Sequence, residues 1–246
     1  MGLGKTVQAI AALEAIGDDA YPALVVCPNS MKRTWADEFN RWAPGRDVVV
    51  VTGGVVARKK SIALLGTGEA DVAVINYEGL RAHTRLEGYG SMTLSPEEKT
   101  AKDLNEVPIK TVIADESHRA KDPRAKQTRA LWAIGRDATY RFALTGTPIA
   151  NSPEDMWALM RFVSPVEFPT KTKFIDRYAQ QDYNVYGFMQ VIGIVGEHAD
   201  ELFRIIDPRF MRRTKAAVLP QMPPKTYAVR YCEMVPKQKK AYEEMR

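Results

Sequence analysis

The stretch MGLGKT, from Met1 to Thr6, decides the fold. Its last three residues match the end of the phosphate-binding loop G-x-x-x-x-G-K-[ST], in which backbone N–H groups and the start of the following helix face the phosphates of a nucleotide. The apolar residues from Val7 to Ile16 predict that helix. The first glycine of the pattern would lie upstream of Met1, so we expect the chain to be a fragment that lacks the strand before the loop.

The residue types in this stretch suit a nucleoside triphosphate and Mg²⁺. Gly2 and Gly4 would let backbone N–H groups converge on phosphate oxygens. Lys5 would pair with the β- and γ-phosphates, and the hydroxyl of Thr6 would bind Mg²⁺. So short a match also occurs by chance in turns that contain Gly and Lys, so the rest of the chain has to support it.

Short apolar runs follow, separated by segments long enough for helices. They are Ala23–Pro28, Asp47–Thr52, Asp71–Asn76, Thr111–Ala114 and Arg141–Leu144. Strands rich in Val and Ile that alternate with helices are typical of a parallel sheet covered on both faces. Polar motifs follow these strands directly, and open α/β sheets bind ligands at the carboxyl ends of their strands. The sequence therefore predicts an α/β fold with its site at that edge.

Asp115 and Glu116 come directly after the fourth run. An aspartate in this position can hold Mg²⁺, usually through water, and the glutamate beside it can orient and deprotonate the attacking water. An acidic pair after a strand can instead cap the next helix. The order of Lys5, this pair and Thr145-Gly146-Thr147 along the chain favours the catalytic interpretation.

Three motifs in this order resemble motifs I, II and III of superfamily 2 helicases, and more narrowly those of the SNF2 family of DNA-dependent ATPases. They are MGLGKT, Asp115-Glu116-Ser117-His118 and the stretch LTGTPIANS that begins at Leu144. Further similar stretches are Leu144–Pro165, Glu201–Pro220 and Met222–Lys225. The resemblance covers nearly the whole chain, although Ser117 stands where the family usually has Ala or Gly. It implies ATP as the nucleotide and a RecA-like P-loop NTPase lobe, followed by a helical protrusion.

The resemblance also implies how ATP and DNA communicate. The residues expected to couple the two sites are His118, Thr145, Gly146 and Thr147, and the residues expected to brace a hinge between lobes are Arg212 and Arg213. His118 is therefore counted with Lys5, Asp115 and Glu116 as catalytic. An ordinary surface role remains open for the histidine, and a solvated basic face remains open for the arginines.

Contacts to the sugar-phosphate backbone of duplex DNA are implied at two places. The residues concerned are Asn29, Ser30 and Lys32, and then Asn76 and Tyr77. Such contacts would be independent of base sequence and sensitive to salt. Asn29 or Ser30 could equally cap the helix that follows.

The resemblance suggests three segments. Residues 1–151 would form the ATP-binding lobe without its first strand, 152–215 a helical extension, and 216–246 a linker with the start of a second lobe. In the family ATP lies between two RecA-like lobes, and the second supplies arginines to the site. We therefore expect a missing second lobe, in cis or in trans, as a partner, and little turnover by this chain alone. Two alternatives remain open: a strand-separating helicase of restriction or repair systems, and a nucleotide- or DNA-binding module without hydrolysis.

Composition permits this interpretation without requiring it. The formal net charge of +5 and the pI of about 9.1 allow binding to nucleic-acid phosphates. The three histidines lack metal-ligand spacing, and the two cysteines lie far apart in the sequence. No apolar run approaches the roughly 20 residues of a membrane span. We expect no membrane partner, and a location in the cytoplasm of a bacterial or viral host cell, or in the nucleus if the source is eukaryotic.

Overall fold

The computed structural model describes residues 2–147, 153–219, 221, 226 and 228–244. The chain divides into two compact units, Met1–Met211 and Arg212–Arg246. Residues 148–152 of the third motif and the stretch Met222–Lys225 lie outside the described residues.

A five-stranded sheet organises the first unit. Its strands are β1 (Ala23–Cys27), β2 (Val48–Val50), β3 (Val72–Asn76), β4 (Thr111–Asp115) and β5 (Tyr140–Leu144). The order across the sheet is β2-β3-β1-β4-β5, and all four neighbouring pairs are parallel. All five predicted strands are confirmed. Because the strands are parallel, the polar residues that follow them meet at one edge of the sheet.

Helices connect these strands, as predicted. They are α1 (Lys5–Ile16), α2 (Lys32–Trp42), α3 (Val55–Thr67), α4 (Tyr77–His83), α5 (Pro96–Lys99) and α6 (Lys126–Asp137), with 3₁₀ turns at Gly17–Ala20, Asn29–Met31, Asp103–Glu106 and Ser117–Ala120. The long polar connection before β4 contains only α5 and one of these turns. The helix predicted from Val7 is α1.

The side chains of β1 alternate between two apolar cores, one on each face of the sheet. Leu24 and Val26 pack in a core that also contains apolar residues of α3, α4 and α6. Val25 and Cys27 pack in a second core with α1 and α2. All of these β1 side chains are buried. The prediction of helices on both faces is therefore confirmed, and it explains why this strand is apolar at every position.

β5 differs from the inner strands because it lies at one end of the sheet. Its five residues are all only partly buried, whereas those of β1 and β4 are fully buried. Phe142 and Leu144 pack against the core that contains α1. Within the described residues, the strand before the third motif thus pairs with β4 on one side and has no partner strand on the other.

The first unit continues into a mixed segment. Its elements are α7 (Pro153–Val163), α8 (Lys171–Tyr178), β6 (Ala179–Tyr183), β7 (Met189–Ile194) and α9 (Gly196–Ile206), followed by a 3₁₀ turn at Asp207–Arg209. β6 and β7 form an antiparallel hairpin that the sequence analysis, which expects helices here, does not foresee. The carboxamide oxygen of Asn184 accepts hydrogen bonds from the N–H groups of Tyr186 and Phe188, and Gly187 has a φ of +77°. Asn and Gly at these positions are the turn signal that was missed.

The described part of the second unit contains two helices, α10 (Lys215–Val218) and α11 (Pro236–Glu244). Thr214 caps α10 by accepting a hydrogen bond from the N–H of Ala217. α11 lies in the segment 216–246, which is predicted to be a linker with the start of a second lobe. In the described parts of the chain, no helix is both long enough and apolar enough to cross a bilayer.

The two cysteines differ in exposure. Cys27 is buried and Cys232 is exposed, and both are free thiols. Burial, with a further contribution from the Asp115 charge, raises the pKa of Cys27 to about 12. Because the thiolate is the reacting species, we expect Ellman's reagent to label only Cys232 quickly in the native chain and both thiols in concentrated guanidinium chloride. A native Cys232→Ser variant that still reacts quickly would contradict the buried position of Cys27.

Candidate nucleotide site and DNA interface

The loop before α1 has the backbone that an anion-binding turn requires. Gly2 and Gly4 have φ values of +80° and +70°. A Cβ at Gly4 would meet no atom within 4 Å, so the left-handed conformation rather than lack of space favours glycine there. The side chain of Gln8 donates to the carbonyl of Leu3 at 2.8 Å and holds the loop against the helix. No side chain caps the start of α1, which leaves its first N–H groups available to an anion.

Lys5 and Thr6 occupy the first turn of α1. Both side chains are half-buried, and they follow Gly4, the residue that caps the helix. The helix itself is fixed to the sheet by Ile10 and Leu13, which are fully buried. A rigid helix therefore sets the position of the two residues that are predicted to contact phosphate and Mg²⁺.

Asp115 ends β4 with its carboxylate almost fully buried, at 6% exposure. One carboxylate oxygen accepts the N–H of Glu116, and the other accepts the indole N–H of Trp35, both at 2.9 Å. Each oxygen keeps a further lone pair. The carboxylate is thus held in one orientation and retains the capacity to bind a water of a hydrated metal ion.

Glu116 has a strained backbone. Its φ of +46° and ψ of +48° are left-handed, and among the described non-glycine residues no other has a positive φ. Such a conformation costs on the order of 1–3 kcal/mol and is found mostly at functional sites. It breaks the strand sharply after Asp115, and a 3₁₀ turn at Ser117–Ala120 follows.

His118 brings the second and third motifs together. Its Nδ1 lies 3.2 Å from the carboxylate of Glu116 and 3.2 Å from the hydroxyl oxygen of Thr145. The same hydroxyl oxygen accepts the N–H of Thr147 at 3.1 Å, while Gly146 and Thr147 are exposed. The contact exists because β4 and β5 are neighbouring parallel strands that end at the same edge. It provides a direct route between the acidic pair and the loop after β5.

The segments predicted to contact DNA also lie side by side. Asn29 and Ser30 are exposed in the 3₁₀ turn after β1. Asn76 ends β3, directly opposite Cys27 of β1, and donates its amide to Glu78 at 2.6 Å. The ends of two neighbouring strands therefore present small polar side chains at one edge, as the DNA prediction requires.

Lys32 and Tyr77 differ from that prediction because both side chains are buried. Lys32 is 8% exposed; its ammonium donates to the carbonyl of Val51 at 3.1 Å, and burial lowers its pKa. The hydroxyl of Tyr77 donates to the backbone carbonyl of Asp115 at 2.8 Å, and burial raises its pKa. Each residue lies in the first turn of a helix that packs on the sheet, and its side chain faces inward. Neither is among the DNA contacts that we propose below.

Arg212 and Arg213 are exposed in the second unit, where Arg213 donates to the carbonyl of Arg212 at 3.1 Å, and their hinge role stays a prediction.

Sequence reasoning missed Trp35 as a neighbour of Asp115. The spacing of Trp35 and Phe39 indicates a buried helix face, but it gives no sign of a hydrogen-bond partner 80 positions away.

Comparisons with known proteins agree with the motifs. A family model described as the SNF2-related domain matches residues 1–246. The DNA annealing helicase and endonuclease ZRANB3 of Bos taurus is 31% identical over 227 residues, which cover 92% of this chain and 19% of that protein. The transcription regulatory protein SNF2 of Saccharomyces cerevisiae is 30% identical over 252 residues, which cover 100% of this chain and 14% of that protein.

A solved structure shows the same fold. The Sulfolobus solfataricus SWI2/SNF2 ATPase core in complex with dsDNA matches with a TM-score of 0.64 and 27% identity, over 99% of this chain and 45% of that core. The chain thus spans less than half of the solved core and less than a fifth of the two curated relatives. The family match extends over the whole sequence, and the five-stranded sheet corresponds to the RecA-like fold of that core. The 246-residue chain belongs to the SNF2-related domain family.

Proposed function

We propose that this chain is the ATP-binding lobe of a DNA-dependent ATPase that moves along duplex DNA or remodels what is bound to it. The observation that carries the proposal is the position of His118, whose Nδ1 lies 3.2 Å from both Glu116 and Thr145. A nucleotide site that drives movement has to report its state to the DNA site. This histidine joins the residue proposed to activate water to the loop proposed to sense DNA.

ATP and Mg²⁺ fit the residues at this edge. Lys5 would pair with the β- and γ-phosphates, Thr6 and Asp115 would hold Mg²⁺, and the N–H groups after Gly2 and Gly4 would face phosphate oxygens. Among the described residues, no three His, Cys, Asp or Glu side chains cluster closely enough to bind a metal on their own. In nucleotide sites Mg²⁺ takes most of its ligands from phosphates and water. When bound, Mg²⁺ would neutralise charge on the phosphates.

Glu116 is the proposed general base. It would orient the attacking water and accept its proton, with His118 Nδ1 lying 3.2 Å from its carboxylate. Charge that develops on the transferred phosphoryl group needs further cations, which the second lobe supplies in the family. Such arginines contribute about 10³ to 10⁵ in rate in related NTPases. We therefore propose that a second RecA-like lobe, in cis or in trans, completes the site.

Duplex DNA is the proposed substrate track. The proposed contacts to its backbone are Asn29, Ser30, Asn76, Thr145, Gly146 and Thr147. Support comes from their shared position at the carboxyl edge and from the solved core, which was determined with dsDNA. Arg212 and Arg213 are proposed to brace the hinge through which the two lobes open and close.

The test is ATP turnover by this chain with and without duplex DNA, next to a Glu116→Gln variant, together with Mg²⁺-ATP binding. We expect the chain to bind Mg²⁺-ATP. We also expect its ATP turnover in the presence of duplex DNA to equal that of the Glu116→Gln variant, because the stabilising arginines come from the second lobe. Gln keeps the size of the side chain and removes its basicity. It is therefore a matched control for general-base catalysis.

Other outcomes separate the parts of the proposal. A chain that does not bind Mg²⁺-ATP would overturn the ATP-binding function. Turnover that DNA stimulates and Glu116→Gln abolishes would support the ATPase but overturn the need for another lobe, since a second copy would then complete the site. DNA binding that does not weaken as salt rises would overturn the proposed backbone contacts.

A further inference from the structure

Two buried aromatic donors converge on Asp115. The indole N–H of Trp35 reaches a carboxylate oxygen at 2.9 Å, and the hydroxyl of Tyr77 reaches the backbone carbonyl at 2.8 Å. Both aromatic side chains are almost completely buried. One residue is thus held through both its side chain and its main chain.

The two donors come from the segments that are proposed to contact DNA. Trp35 lies in the first turn and a half of α2, which starts where the turn Asn29–Met31 ends. Tyr77 is the first residue of α4 and follows Asn76 directly. A displacement of either segment would therefore move a hydrogen-bond donor of Asp115.

The strand order explains why both can reach the same residue. β1 lies between β3 and β4, and Cys27 at its end is paired with Asn76. Tyr77, directly after β3, reaches past the end of β1 to Asp115 at the end of β4. Trp35 approaches from α2, which packs on one face of the same three strands together with Val25, Val74 and Ile113.

We propose that Trp35 and Tyr77 are positioning residues that fix Asp115 for the Mg²⁺-nucleotide and make its position depend on backbone contacts of duplex DNA. Trp35 sets the orientation of the Asp115 carboxylate, and Tyr77 fixes the position of the Asp115 backbone at the end of β4. The inference rests on the proposed function and adds a second route between the DNA and ATP sites, separate from His118.

Burial alone does not account for these hydrogen bonds. Trp157 is as deeply buried as Trp35, yet its indole nitrogen has no hydrogen-bond partner among the described residues. Within the described part of the chain, a buried indole N–H is thus found without a partner. The alternative, in which Trp35 and Tyr77 serve only packing, has to be separated from positioning by experiment.

The test uses Trp35→Phe, which removes the N–H and keeps a ring, and Tyr77→Phe, which removes only the hydroxyl. Trp42→Phe is the matched control, because Trp42 lies in the same helix, is 48% exposed and donates to Glu38 instead. Binding of a fluorescent ATP analogue to the 246-residue chain is measured over a range of Mg²⁺ concentrations, with EDTA, and with or without duplex DNA. Thermal unfolding of each variant is recorded in parallel.

We expect Trp35→Phe to raise the Mg²⁺ midpoint about tenfold, because a hydrogen bond to a charged group is lost. Analogue affinity in EDTA should be unchanged, and Trp42→Phe should behave as the unmodified chain. Duplex DNA should lower the Mg²⁺ midpoint of the unmodified chain about fivefold, and Tyr77→Phe should lose that shift. A packing role would instead lower the unfolding temperature and weaken binding equally with and without Mg²⁺.

The inference is overturned if Trp35→Phe keeps the Mg²⁺ midpoint of the unmodified chain, or if Tyr77→Phe keeps the full DNA effect. Failure of the proposed function looks different. In that case the unmodified chain does not bind the analogue in Mg²⁺, or binds it equally well after Lys5→Ala. The Trp35 and Tyr77 variants therefore test the inference, whereas the unmodified chain and Lys5→Ala test the proposed function.

Discussion

Trp157→Ala is expected to lower the free energy of unfolding by about 3–5 kcal/mol. Trp157 is 1% exposed, and its ring packs edge-on against Trp132 with centroids 5.6 Å apart. Tyr89 lies 6.1 Å from the same ring, and the guanidinium of Arg161 lies 5.9 Å from it. Alanine would leave a cavity between α6 and α7 that these large side chains cannot fill.

Denaturant unfolding followed by circular dichroism measures this loss. Trp42→Ala is the control, because its half-exposed ring should cost less than about 1 kcal/mol. Trp157→Phe should also cost much less than Trp157→Ala, since the indole nitrogen has no partner to lose among the described residues. Equal losses for Trp157→Ala and Trp42→Ala would contradict the packing of α7 on α6.

Lys5→Ala is expected to weaken Mg²⁺-ATP binding by about 10- to 100-fold. The reason is the loss of charge-assisted hydrogen bonds to phosphate, worth about 1.5–3 kcal/mol, and a tenfold change in affinity corresponds to about 1.4 kcal/mol. Titration of a fluorescent nucleotide or calorimetry gives the affinity directly. The half-buried lysine sits on α1, whose core contacts come from Ile10 and Leu13, so the fold should be unaffected.

Lys60→Ala provides the matched control for net charge. Lys60 is exposed on α3, which packs on the other core of the sheet, so its loss should change nucleotide affinity very little. If both variants weakened binding equally, the nucleotide would respond to overall charge. Lys5 would then have no role as a specific phosphate ligand.

The sheet could be predicted because each inner strand is a continuous run of apolar residues. Leu24 and Val25 face opposite cores, and such two-sided burial leaves a signal that does not depend on distant partners. The meeting of His118 and Thr145 was predictable for a related reason. Parallel neighbouring strands place the residues after β4 and β5 at one edge, whatever the loops between them do.

Other features depend on which way a side chain turns. Lys32 and Tyr77 come soon after strand ends, close in sequence to the exposed Asn29 and the half-buried Asn76, but helix geometry points them into the core. Residue types along a single helical turn do not show which side chains face the core and which face solvent. The hydrogen bond from Trp35 to Asp115 lies further beyond sequence reasoning, because it depends on how α2 packs across the sheet.

The position of β5 at the end of the sheet has a practical consequence. An edge strand offers a row of unpaired N–H and C=O groups to any other strand that approaches. A charged side chain on an edge strand disfavours pairing with another strand. The guanidinium of Arg141, however, donates hydrogen bonds to the carbonyls of Gly135, Ala138 and Val163. Phe142 and Leu144 add partly buried apolar surface. Within the described residues, this side of β5 is therefore open to pairing with a further strand, and main-chain hydrogen bonds can extend the sheet there.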